Sequence, residues 1–161
     1  MSPARCRPDG RRPTVSTETD GATGFSAAER AAMKERAAEL RAAGKKGAKL
    51  ADGLQQVLDA IEKMTPEDRA LAERVHVTVT EHAPDLAPKT WYGMPAYANA
   101  DGKVVLFFKN AGKFGERYST LGFEGAARLD DGDLWPTVFA ITRWTPEVAD
   151  RVAALVRSAT S

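Results

Sequence analysis

The clearest hydrophobic pattern in the chain is Leu54, Val57, Leu58, Ile61 and Met64, spaced as one face of an amphipathic helix; it predicts a core helix from about Leu50 to Lys63. Ahead of it, Ser26 followed by Glu29 is a capping-box pair. The alanine-rich, charged run behind it predicts a helix over Ala27–Ala43 whose apolar stripe, Met33 and Leu40, is thin. This helix is expected to pack loosely, with Lys45-Lys46-Gly47 as a flexible joint after it. Thr65-Pro66-Glu67-Asp68 starts a third helix: threonine caps, proline sits where its missing donor costs nothing, and two acids favour the positive helix end. Val75 to Thr80 alternates like a strand, yet Leu71, Val75 and Val79 also fall at helical spacing, and no turn residue intervenes before Ala83-Pro84. The reading is therefore one helix, followed by a loop over Pro84–Pro88. Thr145-Pro146-Glu147 repeats the start signal before a last helix with its stripe at Val148, Val152, Leu155 and Val156.

Between these helices the period changes to two. Thr90-Trp91-Tyr92-Gly93-Met94-Pro95-Ala96-Tyr97 reads as sheet with a local bend, because Gly93 permits a backbone other residues resist and Pro95 removes a ladder donor; that suits an edge strand or a bulge. Lys103 to Lys109 is a strand with Val104, Leu106 and Phe108 on a core face and Val105 and Phe107 on a half-open one. Asn110-Ala111-Gly112 is read as a turn, Arg117 to Leu121 as a strand, and Leu134 to Ile141 as another interrupted by Pro136. The fold class expected is α+β: an antiparallel β-sheet of about four to five strands, packed with N-terminal helices and a C-terminal helix.

The division expected is a disordered tail over residues 1–24, a helical extension over 25–64 and an α+β domain over 65–161. The tail is rich in Arg, Pro, Gly, Ser and Thr, with too little apolar surface to offset the entropy of ordering. A net charge of +1 with interspersed signs gives no field for a nucleic acid or an anionic membrane. The single cysteine, Cys6, cannot form an internal disulfide, and no stretch is apolar enough to span a bilayer or act as a signal-peptide core. A cytoplasmic protein is expected.

The motifs of common chemistries are missing: there is no G-x-S-x-G elbow, no phosphate-cradling loop and no dinucleotide fingerprint. His76 and His82 fall on different helix faces and read as ordinary histidines. Asp130, Asp131 and Asp133 form an acidic cluster of the kind hard cations take, though without calcium-loop spacing, and an Asp/Gly turn accounts for them as well. Glu29, Glu35, Glu39, Asp59 and Glu62 read as a solvated helix surface. The remaining candidates are amphipathic: Trp91, Tyr92, Met94, Tyr97, Phe107, Lys109, Arg117, Tyr118 and Trp135. Aromatics with a few charges suit a small-molecule cleft, and equally a core with snorkelling rims.

The segments Trp91-Tyr92-Gly93-Met94-Pro95, Gly102 to Phe108, Tyr118 to Phe123 and Asp130 to Pro136 resemble the YdhG-like family of small bacterial domains, over roughly Thr65 to Ser158. The resemblance implies an α+β fold with an antiparallel sheet and, for some members, a frataxin-like intracellular iron chaperone that would hold iron weakly on surface carboxylates. The expectation is a binding protein and not an enzyme, its ligand iron or a small molecule held on the aromatic sheet face. An exposed sheet edge leaves a protein-interaction role, a homodimer included, open.

Overall fold

The structure, a computed structural model, describes residues 25–43 and 50–161; the tail expected over 1–24, with Cys6, and the joint at Lys45-Lys46-Gly47 lie outside the described residues. In chain order the elements are α1 (Ala27–Ala43), α2 (Leu50–Glu62), α3 (Pro66–His82), β1 (Ala87–Trp91), β2 (Met94–Ala98), β3 (Val104–Lys109), α4 (Ala111–Phe114), β4 (Ser119–Phe123), β5 (Val138–Ile141) and α5 (Pro146–Ala159). The chain is α+β: all five strands run antiparallel in the order β1-β2-β3-β4-β5, a meander in which each strand pairs with its sequence neighbour.

The helix starts form as the capping chemistry dictates. Glu29 N–H donates to Ser26 Oγ at 3.1 Å, and Ser26 N–H donates to the Glu29 carboxylate at 3.4 Å. Thr65 Oγ1 accepts from Asp68 N–H at 3.3 Å, Thr145 Oγ1 accepts from Val148 N–H at 3.2 Å, and a proline follows each cap. The segment that alternates like a strand is helical throughout α3. Its threonines fit by turning their hydroxyls back onto the helix, Thr78 onto the Arg74 carbonyl at 2.8 Å and Thr80 onto that of His76 at 2.9 Å.

On α2 the buried line is narrower than the sequence stripe: Val57 and Ile61 are buried, as is Met64 just past the helix, whereas Leu54 and Leu58 are exposed. The reason is Gly53, where a Cβ would stand 2.3 Å from the Pro88 carbonyl oxygen. The helix rides on β1 through its glycine, which turns the two leucines outward.

The sheet departs from expectation in several places. Tyr92 (φ 53°) and Gly93 (φ 74°) form a two-residue turn joining β1 to β2, so the bend is a tight hairpin and not a kink within one strand. β2 is an inner strand despite Pro95; its ladder with β3 starts at Ala96, one residue past the missing donor. The β2–β3 register then shifts between Tyr97 and Ala98, leaving Val105 as the extra residue of a bulge. Val105 thereby joins Leu106 and Phe108 in the core while Val104 stays half-exposed, which reverses the face expected for this pair. Further on, the expected strand from Leu134 is ordered as β5 only from Val138, and Asn110-Ala111-Gly112 opens the single helical turn α4. β1 begins at Ala87, inside the expected loop.

The core lies between one face of the sheet and α2, α3 and α5. Register places Tyr97, Leu106 and Phe123 side by side, with Phe108 beside Leu121; these meet Val57, Ile61, Val75, Val79, Val152 and Val156 from the helices. Full burial of side chains such as Leu106, Phe108 and Leu121 stabilises the fold by about 1.5–3 kcal/mol each. On the opposite face the Phe107 ring lies over Gly122, where a Cβ would meet ring carbons at 2.2 Å, and packs on Trp91 at 5.2 Å between centroids. An aromatic layer thus shields the small residues Ala96 and Gly122, which are buried.

Candidate functional site

Helix α1 crosses the end of the sheet at the β1–β2 hairpin, and two clefts open on either side of it. Its hold there is polar. The Glu39 carboxylate accepts the backbone N–H groups of Tyr92 at 3.1 Å and Gly93 at 2.9 Å, and Glu35 pairs with Lys113 of α4. The Arg36 guanidinium lies 5.6 Å from the Tyr92 ring centroid. The Glu35–Lys113 pair passes directly over Gly93, where a Cβ would collide with both side chains, so the position needs glycine for space as well as for its positive φ. Among the described side chains of α1, Ala32 is the buried one, in keeping with the thin apolar stripe.

The first cleft is apolar, about 350 Å³, and lies between the start of α1 and the outer sheet face; Phe25, Ala32, Met33, Tyr92, Met94, Phe107 and Phe114 line it, with Glu29 and Lys109 as its charged members. Four of the nine amphipathic candidates, Tyr92, Met94, Phe107 and Lys109, converge here. Lys109 is paired with Glu116 and rests over the Phe114 ring at 4.9 Å.

The other five do not join them. Trp91 packs on Tyr92 and Phe107 as part of the aromatic layer. Tyr97 is core: its ring is 2% exposed, and its hydroxyl and His76 Nδ1 are hydrogen-bonded at 2.8 Å. Burial pushes the Tyr97 phenol well above its ordinary value and holds the His76 imidazole below its own. Arg117 and Tyr118 stack on each other at 5.2 Å on the exposed approach to β4, and Trp135 is half-buried in the segment before β5. Asp130, Asp131 and Asp133 are exposed in the same loop region. Among the described residues, no group of three or more His, Cys, Asp or Glu side chains is placed to hold a metal ion.

The second cleft is larger, about 590 Å³, and is lined by many polar residues although apolar atoms supply more of its surface; it lies between α1, α2, the hairpin and the β3–α4 junction. Glu35, Ala38 and Glu39 form one wall, Gln56, Asp59, Ala60, Lys63 and Met64 another, and Thr65, Thr90, Gly93, Asn110, Gly112 and Lys113 the rest. Much of this polarity is already satisfied within the protein. Glu39 is held by the hairpin amides, Glu35 by Lys113, Asp59 accepts from Gln55 at 2.8 Å, and Thr90 donates to Gln56 Oε1 at 3.3 Å. Sequence reasoning placed Glu35, Glu39 and Asp59 on a solvated surface and read Asn110 as a turn residue. The spacing of Glu35 and Glu39, i and i+4 on one helix face, is the only local sign that they act together.

No family model, no curated protein and no solved structure matches the chain.

Proposed function

We propose that this chain is a non-enzymatic binding protein for a small polar molecule, held in the 590 Å³ cleft between α1, α2 and the β1–β2 hairpin. The observation that carries the reading is how α1 is mounted: charged side chains fasten it across a gap that its own apolar residues do not fill. A helix held by charged groups over a concave space of ligand size is the kind of place a small molecule occupies. The volume lies within the range of small-molecule sites, and several separate elements supply the walls. Among the charged groups of the lining, Glu39, Glu35, Asp59 and Lys113 are engaged within the protein, which suits a binding role.

The iron-chaperone role implied by the YdhG-like resemblance gains no support from the donor set, because the three loop aspartates are exposed and no cation-holding cluster is placed among the described residues. The aromatic sheet face is the weaker small-molecule site, since only part of the candidate set meets there.

A thermal-shift panel of polar metabolites tests the proposal, run in parallel on the parent and on Ala60→Trp, which plugs the cleft from α2. Compounds that raise the parent melting temperature are expected to leave the plugged variant unmoved. Equal shifts in both proteins, or no shift from any compound, would refute it.

A further inference from the structure

The two edges of the sheet are finished differently. At the β1 edge the two-residue hairpin makes Trp91 and Met94 the closing bonded pair, so alternation leaves Pro88 and Thr90 facing away from β2. Pro88 has no N–H to offer, and its carbonyl oxygen meets α2 at Gly53; the Thr90 hydroxyl donates to Gln56 Oε1 of the same helix at 3.3 Å. A proline and a covering helix are two of the devices by which proteins keep an edge strand from pairing.

The β5 edge has neither. Phe123 N–H donates to the Thr137 carbonyl at 2.8 Å, and the β4–β5 register continues with Leu121 opposite Phe139 and Ser119 opposite Ile141. Thr137, Phe139 and Ile141 therefore direct their main-chain groups to β4, and Val138 and Ala140 present theirs outward. No backbone hydrogen bond from the described residues meets them there. Both side chains are exposed, Val138 at 60%, and Leu134 just upstream is exposed as well. From Leu134 to Trp144 the one charge is Arg143, so no row of like charges keeps another strand away.

We propose that the β5 edge is a self-association surface, on which a second copy of this chain pairs its own β5 antiparallel across a two-fold axis and joins the two five-stranded sheets into one. The strand is complementary to itself. With Phe139 on the axis, Val138 stands opposite Ala140 of the partner subunit and Ala140 opposite Val138 of the partner subunit, so every outward N–H and C=O of these residues is paired. The larger side chain then faces the smaller, the two phenylalanines meet on the axis, and Arg143 falls opposite Trp135 of the partner subunit, a cation against a ring. This register opposes no like charges. An edge four residues long buries less than a standard interface, so association in the micromolar range is expected.

Sedimentation of the full chain from about 5 µM to about 1 mM is expected to show a monomer–dimer equilibrium. Val138→Lys, at an exposed position, and Ala140→Pro, which deletes an outward N–H that the β4 ladder does not use, should each weaken association by at least about tenfold. Val77→Lys, which replaces a similarly exposed apolar side chain on α3, should leave it unchanged. If Ala140→Pro fails to fold, the parent supplies the second measurement: hydrogen exchange at the Val138 and Ala140 amides should slow as concentration rises, while Phe139 and Ile141 are protected throughout. A chain that stays monomeric over the whole range would overturn the inference and leave the edge to a foreign strand. A dimer that survives Val138→Lys with the Val138 and Ala140 amides still exchanging freely would overturn it too, since its contact lies elsewhere.

Discussion

At the scale of single residues, Gly93 is constrained twice, by a left-handed backbone and by the Glu35–Lys113 pair that lies against it. Gly93→Val is expected to destabilise the protein by about 1–3 kcal/mol, read from chemical denaturation, since a β-branched side chain is strained at positive φ. The loss should exceed that of a valine placed at Gly102, which has a similar φ of 77° but open space around it. His76 makes a pH-dependent contribution. Its folded-state pKa is lowered by burial beside Tyr97, so the unfolded chain binds the proton first as pH falls. The stability due to neutral His76 is fully present above the unfolded value of about 6.5 and is lost as pH falls through the lower folded value. Melting temperatures recorded from about pH 7 to about pH 5 should fall more steeply for the parent than for His76→Gln. A parallel decline in the two would show that protonation of His76 is not coupled to folding.

Among the elements, the helices were the most legible in the sequence, because what starts them is local: Ser26 with Glu29, Thr65 with Pro66, and Thr145 with Pro146 each act within one turn. The sheet was legible in class but not in detail. The bulge at Val105 exists only against its partner strand, and the turn at Tyr92-Gly93 lacks the asparagine or aspartate that usually signals such a hairpin. The candidate site was half legible, since an aromatic residue type does not reveal whether it faces a cleft or a core. Tyr97 has the same chemistry as Tyr92, yet the alternation of β2 sends it inward. The burial of Asn110 was not legible either, because the amides that follow it are held by Ser119 and Asp68 and not by a local cap. Helix α1 is the element with the most to test. Its grip on the hairpin runs through Glu39, so Glu39→Ala should speed hydrogen exchange at the Tyr92 and Gly93 amides while leaving the amides of β3 and β4 protected. Unchanged exchange at the hairpin would mean that α1 is held there by other contacts.

Across the whole molecule, the sheet and α2, α3 and α5 share a single core, and no helix among the described residues is long and apolar enough to cross a membrane. The meander is the feature with the widest consequence. Because every strand pairs only with the one before or after it, each step of sheet assembly closes a short loop, from the two-residue turn at Gly93 to the longer connection between β4 and β5. The packing of α5 against α3 is different in kind, bringing together segments separated by the entire sheet. Chain entropy therefore assigns an order to events: hairpins form early and cheaply, and the return of the last helix onto the third is the costly closure that locks the core. A nascent chain leaving the ribosome would have its whole sheet available before Val152 and Val156 emerged to seal it.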